Sequence, residues 1–344
     1  MISIPSAWKA IHRALEDFRQ DPEWLACMQL AESKNRWFDQ ASIAFALDQW
    51  REMSSESNAE DWIQRYGNPS PNEQRLGLIL AGNLPLVGIH DVLTGVLCGY
   101  RVLAKASSDD AELPKMLLKK AAQFDPIWSE QVQWVETLKE LNVAIVTGSN
   151  QTARHFAHFF RDIPHLIRHH RSSVAVLSGN ETPDELLALG RDVFHYYGLG
   201  CRSVSKLYVP EGYSFETLLP VWEPVFNVLA LHNKYVNNYH YHKALLLMNL
   251  DPHIDSGYAI LKEREQLHAP VGMLNYEFYT SLADLSRELE SLSGEIQCIA
   301  TNIPDLDGAV ALGQTQCPGL FDYADGVDTV EWLLQLSQGV SNDR

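Results

Sequence analysis

Positive charge is scarce in this chain. Its 27 Lys and Arg stand against 44 Asp and Glu, a net charge of −17. With no surplus of cations to neutralise phosphates, nucleic acid and an anionic membrane surface are excluded as main partners, although local phosphate binding is not. Long apolar runs are missing too, and none approaches the ~20 residues that span a bilayer. The opening SAWKAIHRALEDFRQ sets Trp8, Ile11, Leu15 and Phe18 at helical spacing with no apolar stretch before it, which predicts a folded helix rather than a signal peptide, and a cytoplasmic protein with no membrane span. Cysteine is sparse and unpaired: Cys27, Cys98, Cys201, Cys298 and Cys317 are odd in number and include no CxxC, so neither a disulfide framework nor a zinc knuckle is indicated. There is also no GxGxxG, no internal repeat and no low-complexity segment.

What is present, over 344 residues, suffices for a large core and two domains. Residues 6–65 carry apolar positions at three- and four-residue spacing and read as helices. After the break YGNPSPNEQR the character changes. LGLILA is a buried strand ending at Gly82, Asn83 and Pro85. Residues 86–98 follow as a helix, RVLAK as a strand, and helices are expected near 114–122 and 126–141 before the strand NVAIVTGSN and the helix QTARHFAHFF. Strands alternating with helices make βαβ units and a parallel sheet covered on both faces. SSVAVLS, PDELLALGRDVFHYY and SVSKLYV continue the style. KALLLMN, GYAILKE, VGMLNYEFY and IQCIATNI are further strand candidates, SLADLSRELESL is a helix, and VDTVEWLLQLSQ a closing one.

Several groups could carry chemistry. Cys201 follows Gly198 and Gly200, which leave the backbone open to a ligand, and precedes Arg202, a cation able to favour thiolate; the end of the preceding helix dipole would oppose it. Read alone, a free cysteine is a small buried hydrophobe. Asn83 in GNLP is either plain turn chemistry or an amide that donates to a developing oxyanion. Thr147, Gly148 and Ser149 end a strand and open a helix, where backbone N–H groups can approach a pyrophosphate. Lys105 closes RVLAK, and ligands of parallel sheets bind outside the carboxyl ends of strands. His155 and His158 form an HxxH without a third ligand, RHHR at 168–171 reads as a solvated or phosphate-facing loop, and NYHYH at 238–242 as a loop or edge, so no metal is expected.

Taken in order, AGNLPLVGIHDVLTGVLCGYRVLAKASSDD, VAIVTGSN, YYGLGCRSVSKLYV, APVGMLNYEFY and LFDYADGVDTVEWLL make the chain from about residue 76 onward resemble the aldehyde dehydrogenase superfamily, and within it the LuxC-type acyl-CoA (fatty-acid) reductases. The resemblance implies an α/β fold of two lobes, each with a mainly parallel sheet, and a helical N-terminal segment. The implied division is residues 1–75 helical, 76–171 a Rossmann-like NAD(P) lobe, 172–330 the catalytic lobe, and 331–344 a terminal helix and tail. It makes Cys201 the nucleophile and Asn83 the oxyanion amide. Lys105 becomes the group that reaches the adenosine ribose, and Thr147, Gly148 and Ser149 the turn beside the pyrophosphate. The pattern departs in three places. IRHHR at 167–171 offers no carboxylate where the family keeps the Glu that activates hydrolytic water. Ser108, after Ser107, replaces the ribose-binding Glu, which favours NADPH over NADH, against the adjacent Asp109. Gln266 stands for the nicotinamide-ribose Glu. The implied activity is reduction of an acyl-CoA or acyl-protein thioester to an aldehyde through a Cys201 thioester, without a metal and with an acyl-protein ligase as a conceivable partner; homo-oligomerisation is left open. The alternatives are an aldehyde or semialdehyde dehydrogenase, a cysteine acyltransferase or thioesterase without redox chemistry, and a binding protein on a degenerate scaffold.

Overall fold

The computed structural model describes residues 3–338 except 149, 305 and 307, with the backbone alone at 150–154 and 226. The chain divides into two compact units, Met1–His169 with Gly319–Arg344, and His170–Pro318.

The first unit opens with four helices, α1 (Ile4–Ala14), α2 (Pro22–Lys34), α3 (Gln40–Met53) and α4 (Glu56–Tyr66). On α1 the buried residues Ile4, Ala7, Trp8, Ala10, Ile11 and Ala14 repeat with helical period, one broad apolar stripe. The Asp21 carboxylate accepts from the Glu23 and Trp24 amides and starts α2, with Pro22 in the first turn where its missing N–H is harmless. The chain then alternates β1 (Arg75–Ile79), α5 (Ile89–Leu97), β2 (Arg101–Lys105), α6 (Glu112–Ala121), α7 (Ile127–Glu130), β3 (Val132–Trp134), β4 (Val143–Thr147), α8 (Asn150–Phe159) and β5 (His165–Arg168). The five strands form one parallel sheet in the order β3-β2-β1-β4-β5.

Period-two alternation assigns the two faces of this sheet. Leu76, Leu78, Val102, Ala104, Val143 and Ile145 enter a large core with the N-terminal helices and α5. Leu103, Ala144 and Val146 face the opposite way, with Phe156 of α8 and Phe160 just after it. Gly95 of α5 has no room for a side chain against Leu76 and Val102. The helix expected over 126–141 is only α7. Val132 and Trp134 favour extended backbone, and they pair with Val102 and Ala104 as the edge strand.

Residues 319–330, expected in the second lobe, belong to this first unit. Tyr323 meets Tyr66 through their hydroxyls (2.6 Å), the Tyr66 hydroxyl also donates to Asp328 (2.7 Å), and Tyr100 donates to Leu333 O on the closing helix Thr329–Ser337.

The second unit contains β6 (Ser172–Val176), α9 (Pro183–Phe194), β7 (Val204–Pro210), α10 (Leu219–Leu229), α11 (Asn233–Met248), β8 (Ile254–Asp255), β9 (Ile260–Glu263), β10 (Met273–Tyr279), α12 (Leu282–Ser291) and β11 (Ile296–Ala300). Its sheet runs β11-β6-β7-β10-β9-β8, parallel except for the β8 edge. A reciprocal Thr182–Glu185 capping box and Pro183 start α9. KALLLMN and NYHYH, expected as a strand and a loop or edge, are instead the body of α11. Its buried residues Tyr235, Tyr239 and Leu246 fall four and seven apart, and no glycine or proline interrupts it. This α/β architecture of two parallel-rich sheets and a helical N-terminal segment is the one expected from the sequence. Among the described residues no helix is long and apolar enough to cross a membrane.

Candidate functional site

In the first unit, strand order reverses at β1, between β2 and β4. This is the switch point where an open parallel sheet binds ligands beyond its carboxyl edge. Register places the candidates there: Ile79 lies opposite Lys105 on one side and Val146 on the other, so Thr147 ends its strand one residue beyond the level of Lys105. Asn83 is exposed in the loop after β1, Lys105 and Ser108 are exposed, and Ser107, Thr147 and Gly148 are half-buried. Ser149 falls outside the described residues.

The loops after β1 and β2 interlock. A Cβ added at Gly82 would meet the Ser107 side chain and the Asp110 amide at 3.0 Å. Gly82→Ala is therefore expected to push the two loops apart and to lower stability by about 1–3 kcal/mol, read as a fall in the thermal unfolding midpoint. Beside this contact, Asp110 is buried, and its Oδ2 accepts from the Leu86 amide at 2.6 Å. Leu86 holds a left-handed backbone, φ 60°, which costs a non-glycine residue about 1–2 kcal/mol. Burial pushes the Asp110 carboxyl up to about 7, with the Leu86 amide opposing it and Glu112 adding to it.

In the second unit, Cys201 lies in a tight turn at the amino edge of β7. The approach to it is strained: Tyr196 (φ 52°), Tyr197 (φ 58°) and Gly198 (φ 77°) are successively left-handed, where the sequence predicts a helix closed by glycine alone. The Tyr197 ring packs at a tilt on His232, ring centroids 4.0 Å apart. The turn itself is fastened on several sides. Ser173 Oγ donates to Cys201 O (2.8 Å) and lies 3.0 Å from Cys298 Sγ. Ser203 N donates to Gly200 O, and Gln316 Nε2 to Ser203 Oγ. Arg202 Nε donates to Thr315 O (2.5 Å), and Thr315 is itself held by the buried Asp192 carboxyl, which burial pushes up. Cys201 is half-buried, whereas Cys27, Cys98 and Cys298 are buried. Burial moves the Cys27 thiol up to about 12 and the Cys98 thiol upward as well, which keeps both protonated.

Gln266 is exposed on the segment after β9, and that segment is pinned carbonyl by carbonyl. Lys206 Nζ donates to Glu265 O, Asn275 Nδ2 to Gln266 O and His268 O, and Ser205 Oγ to Leu267 O, at 2.7–3.0 Å. Lys206 is fully buried and pairs with Glu277 (2.6 Å). Lys206 and Asn275 are register partners on neighbouring strands. No motif in the sequence announces either residue. The available signal was a lysine on the same strand phase as Val204 and Tyr208. Residues 167–171 include no carboxylate, and the expectation of a solvated or phosphate-facing RHHR loop fails at Arg168. That residue is buried, bonded to Asp91 (2.6 Å), Ala324 O and Thr329 Oγ1. His170 Nε2 lies 3.3 Å from His268 Nδ1, and burial with the neighbouring His170 lowers the His268 pKa. His155 and His158 are exposed, and no group of three or more His, Cys, Asp or Glu able to hold a metal occurs among the described residues.

No protein-family profile matches the chain, and no curated protein matches it in sequence. Solved structures do match in fold. Aldehyde dehydrogenase 21 from Physcomitrella patens, in complex with the reaction product succinate, aligns over 97% of this chain and 84% of its own at 10% identity and a TM-score of 0.66. An acetylating aldehyde dehydrogenase from Geobacillus thermoglucosidasius aligns over 96% and 89% at 11% identity and TM-score 0.61. An NAD+ complex of aldehyde dehydrogenase from Bacillus cereus aligns over 87% and 72% at 12% identity and TM-score 0.57. The chain thus has an aldehyde-dehydrogenase-like fold.

Proposed function

We propose that the protein reduces an acyl-CoA, or another acyl thioester, to an aldehyde at the expense of NADPH, through a thioester on Cys201. The observation that carries this reading is the half-buried Cys201 thiol in a turn fastened by Ser173, Ser203 and Arg202, behind a strained left-handed approach. Strain of this kind persists where the surroundings over-determine it, typically at reactive sites.

The residues at the carboxyl edge of the first sheet suit a phosphorylated dinucleotide. They comprise an exposed Lys105 cation, the hydroxyls of Ser107, Ser108 and Thr147, and the strand-to-helix turn at Gly148. Ser108 stands where a ribose-binding carboxylate would repel a 2′-phosphate, which favours NADPH over NADH against the adjacent, exposed Asp109. When bound, the nucleotide supplies hydride. Everything else falls to the chain's own groups. The Cys201 thiolate attacks the acyl carbonyl and a new C–S bond forms. Coenzyme A leaves as its thiolate, an exchange between thioesters of similar energy that depends on geometry. Once hydride has added to the acyl carbon, the oxyanion collapses, the bond to Cys201 breaks, and aldehyde leaves with the thiolate restored. The Asn83 amide takes the part of an oxyanion donor in both steps. The lack of a carboxylate at 167–171 removes the base that would send the acyl-enzyme to a carboxylic acid, which argues for reduction over aldehyde oxidation.

The test mixes the protein with NADPH and a series of acyl-CoAs, following absorbance, trapped aldehyde and released thiol. NADPH oxidation matched by aldehyde is the expected result, and Asn83→Ala should slow it about 100-fold, the worth of roughly 3 kcal/mol from one oxyanion donor. Acyl transfer with no nicotinamide consumed would instead mark a cysteine acyltransferase, and carboxylic acid made from aldehyde with NAD would mark a dehydrogenase.

A further inference from the structure

We propose that Asp110 is a positioning residue, whose buried carboxyl locks the left-handed turn at Leu86, and with it the Asn83 amide, to the loop carrying Ser107 and Ser108. The inference rests on the reading of Asn83 as oxyanion donor. Four observations in the first unit converge on it. Asp110 sits two residues past Ser108, is 3% exposed, and its Oδ2 receives the Leu86 N–H at 2.6 Å. Its Oδ1 is buried with no hydrogen-bond partner among the described residues, where the carboxyl's one bond is that to Leu86. Leu86, three residues after Asn83, is held at φ 60°, a conformation that a leucine keeps only when something outside it insists. Gly82, immediately before Asn83, lies so close to the loop after β2 that a Cβ there would collide with the Ser107 side chain and crowd the Asp110 amide. The residue that offers the oxyanion donor is therefore clamped on both sides, by Gly82 and by Leu86, to the loop proposed to take the nucleotide. The charged and titratable groups facing Asp110 are Glu112 on α6 and Cys27 on α2, whose thiol feels both carboxyls.

Asp110→Ala and Asp110→Asn in the full chain test this. Amide hydrogen exchange over 83–87, read by mass spectrometry without substrate, should quicken about tenfold or more in the alanine protein and stay near wild type in the asparagine protein, whose carboxamide oxygen still accepts from Leu86. In the NADPH and acyl-CoA assay, alanine should lower kcat about tenfold while KM for NADPH moves less than about twofold, and asparagine should restore kcat. A structural role alone would show equal thermal destabilisation with no such split. Unchanged exchange in the alanine protein overturns the proposal whatever the activity, and quickened exchange with unaltered kcat overturns its link to Asn83. A wild-type protein that consumes no NADPH with any acyl-CoA sinks the functional reading instead, while the exchange data still decide whether Asp110 holds the turn. Should the alanine protein not fold, Asp110→Leu, close to aspartate in shape but with no acceptor, carries the same test against Asp110→Asn: exchange over 83–87 should quicken in the leucine protein alone, and equal exchange in the two overturns the proposal.

Discussion

Cys201→Ala is expected to abolish aldehyde formation, by about 10⁴-fold or more, because among the described residues of the second unit no other cysteine is both half-buried and set in the fastened turn. Cys298 is buried, and its sulfur lies against the Ser173 hydroxyl. Cys317 shares the half-buried state of Cys201 but lies outside the fastened turn, so Cys317→Ala should retain activity and serves as the control. Two readouts separate chemistry from folding. Intact mass after acyl-CoA alone should show one acyl adduct in wild type and none in the alanine protein, while the thermal midpoints stay close, since a half-buried thiol contributes little packing. If the alanine protein still made aldehyde at the parent rate, the thioester mechanism would be wrong.

Asp91→Ala should produce the largest loss of stability, about 3–5 kcal/mol, because it strands a guanidinium in the core of the first unit. Asp91 and Arg168 are 6% and 5% exposed and lie 2.6 Å apart, and Arg168 also bonds Ala324 O and Thr329 Oγ1. Breaking one side leaves these bonds in place around an uncompensated charge, whereas a paired replacement by apolar residues, Asp91→Leu with Arg168→Met, should cost less than either single change. Burial raises the Asp91 carboxyl, but Arg168 and His90 outweigh it and bring it from 3.8 to about 2. A carboxyl lowered on folding stabilises the fold above its unfolded value, and that contribution fades as pH falls from about 4 to about 2. Acid unfolding of Asp91→Asn should accordingly show a shallower dependence in that window. Equal midpoints for wild type and Asp91→Ala would refute the assignment.

Much of the scaffold was legible because its punctuation is chemical. LGLILA stops at Gly82-Asn83-Leu84-Pro85, RVLAK at Ala106-Ser107-Ser108, and VAIVT at Gly148, so β1, β2 and β4 and the loops beyond them follow from apolar runs and turn residues. The failures have physical causes too. KALLLMN is apolar enough for a strand, and only the burial of Tyr235, Tyr239 and Leu246 at helical intervals shows α11. Arg168 in RHHR looks exposed because its partner, Asp91, lies 77 residues earlier, and no local pattern announces such a pair. The strain at Leu86, Tyr196 and Tyr197 is invisible in sequence, since none of these residue types favours a positive φ. Asp110 was hidden among ordinary loop residues in SSDD, with nothing to mark which carboxylate turns inward.

The return of residues 319–338 to the first unit has a consequence for how the chain matures on the ribosome. The second unit is one uninterrupted stretch, His170–Pro318, and can complete its fold as soon as it emerges. The first cannot: the acceptors for Tyr100 and Tyr66, at Leu333 and Asp328, are still to be synthesised when its five strands are already available. The first unit thus waits, partly unsealed, until residues 319–338 have been made, and a premature stop before residue 319 would spare the second unit while leaving the first without its closing helix.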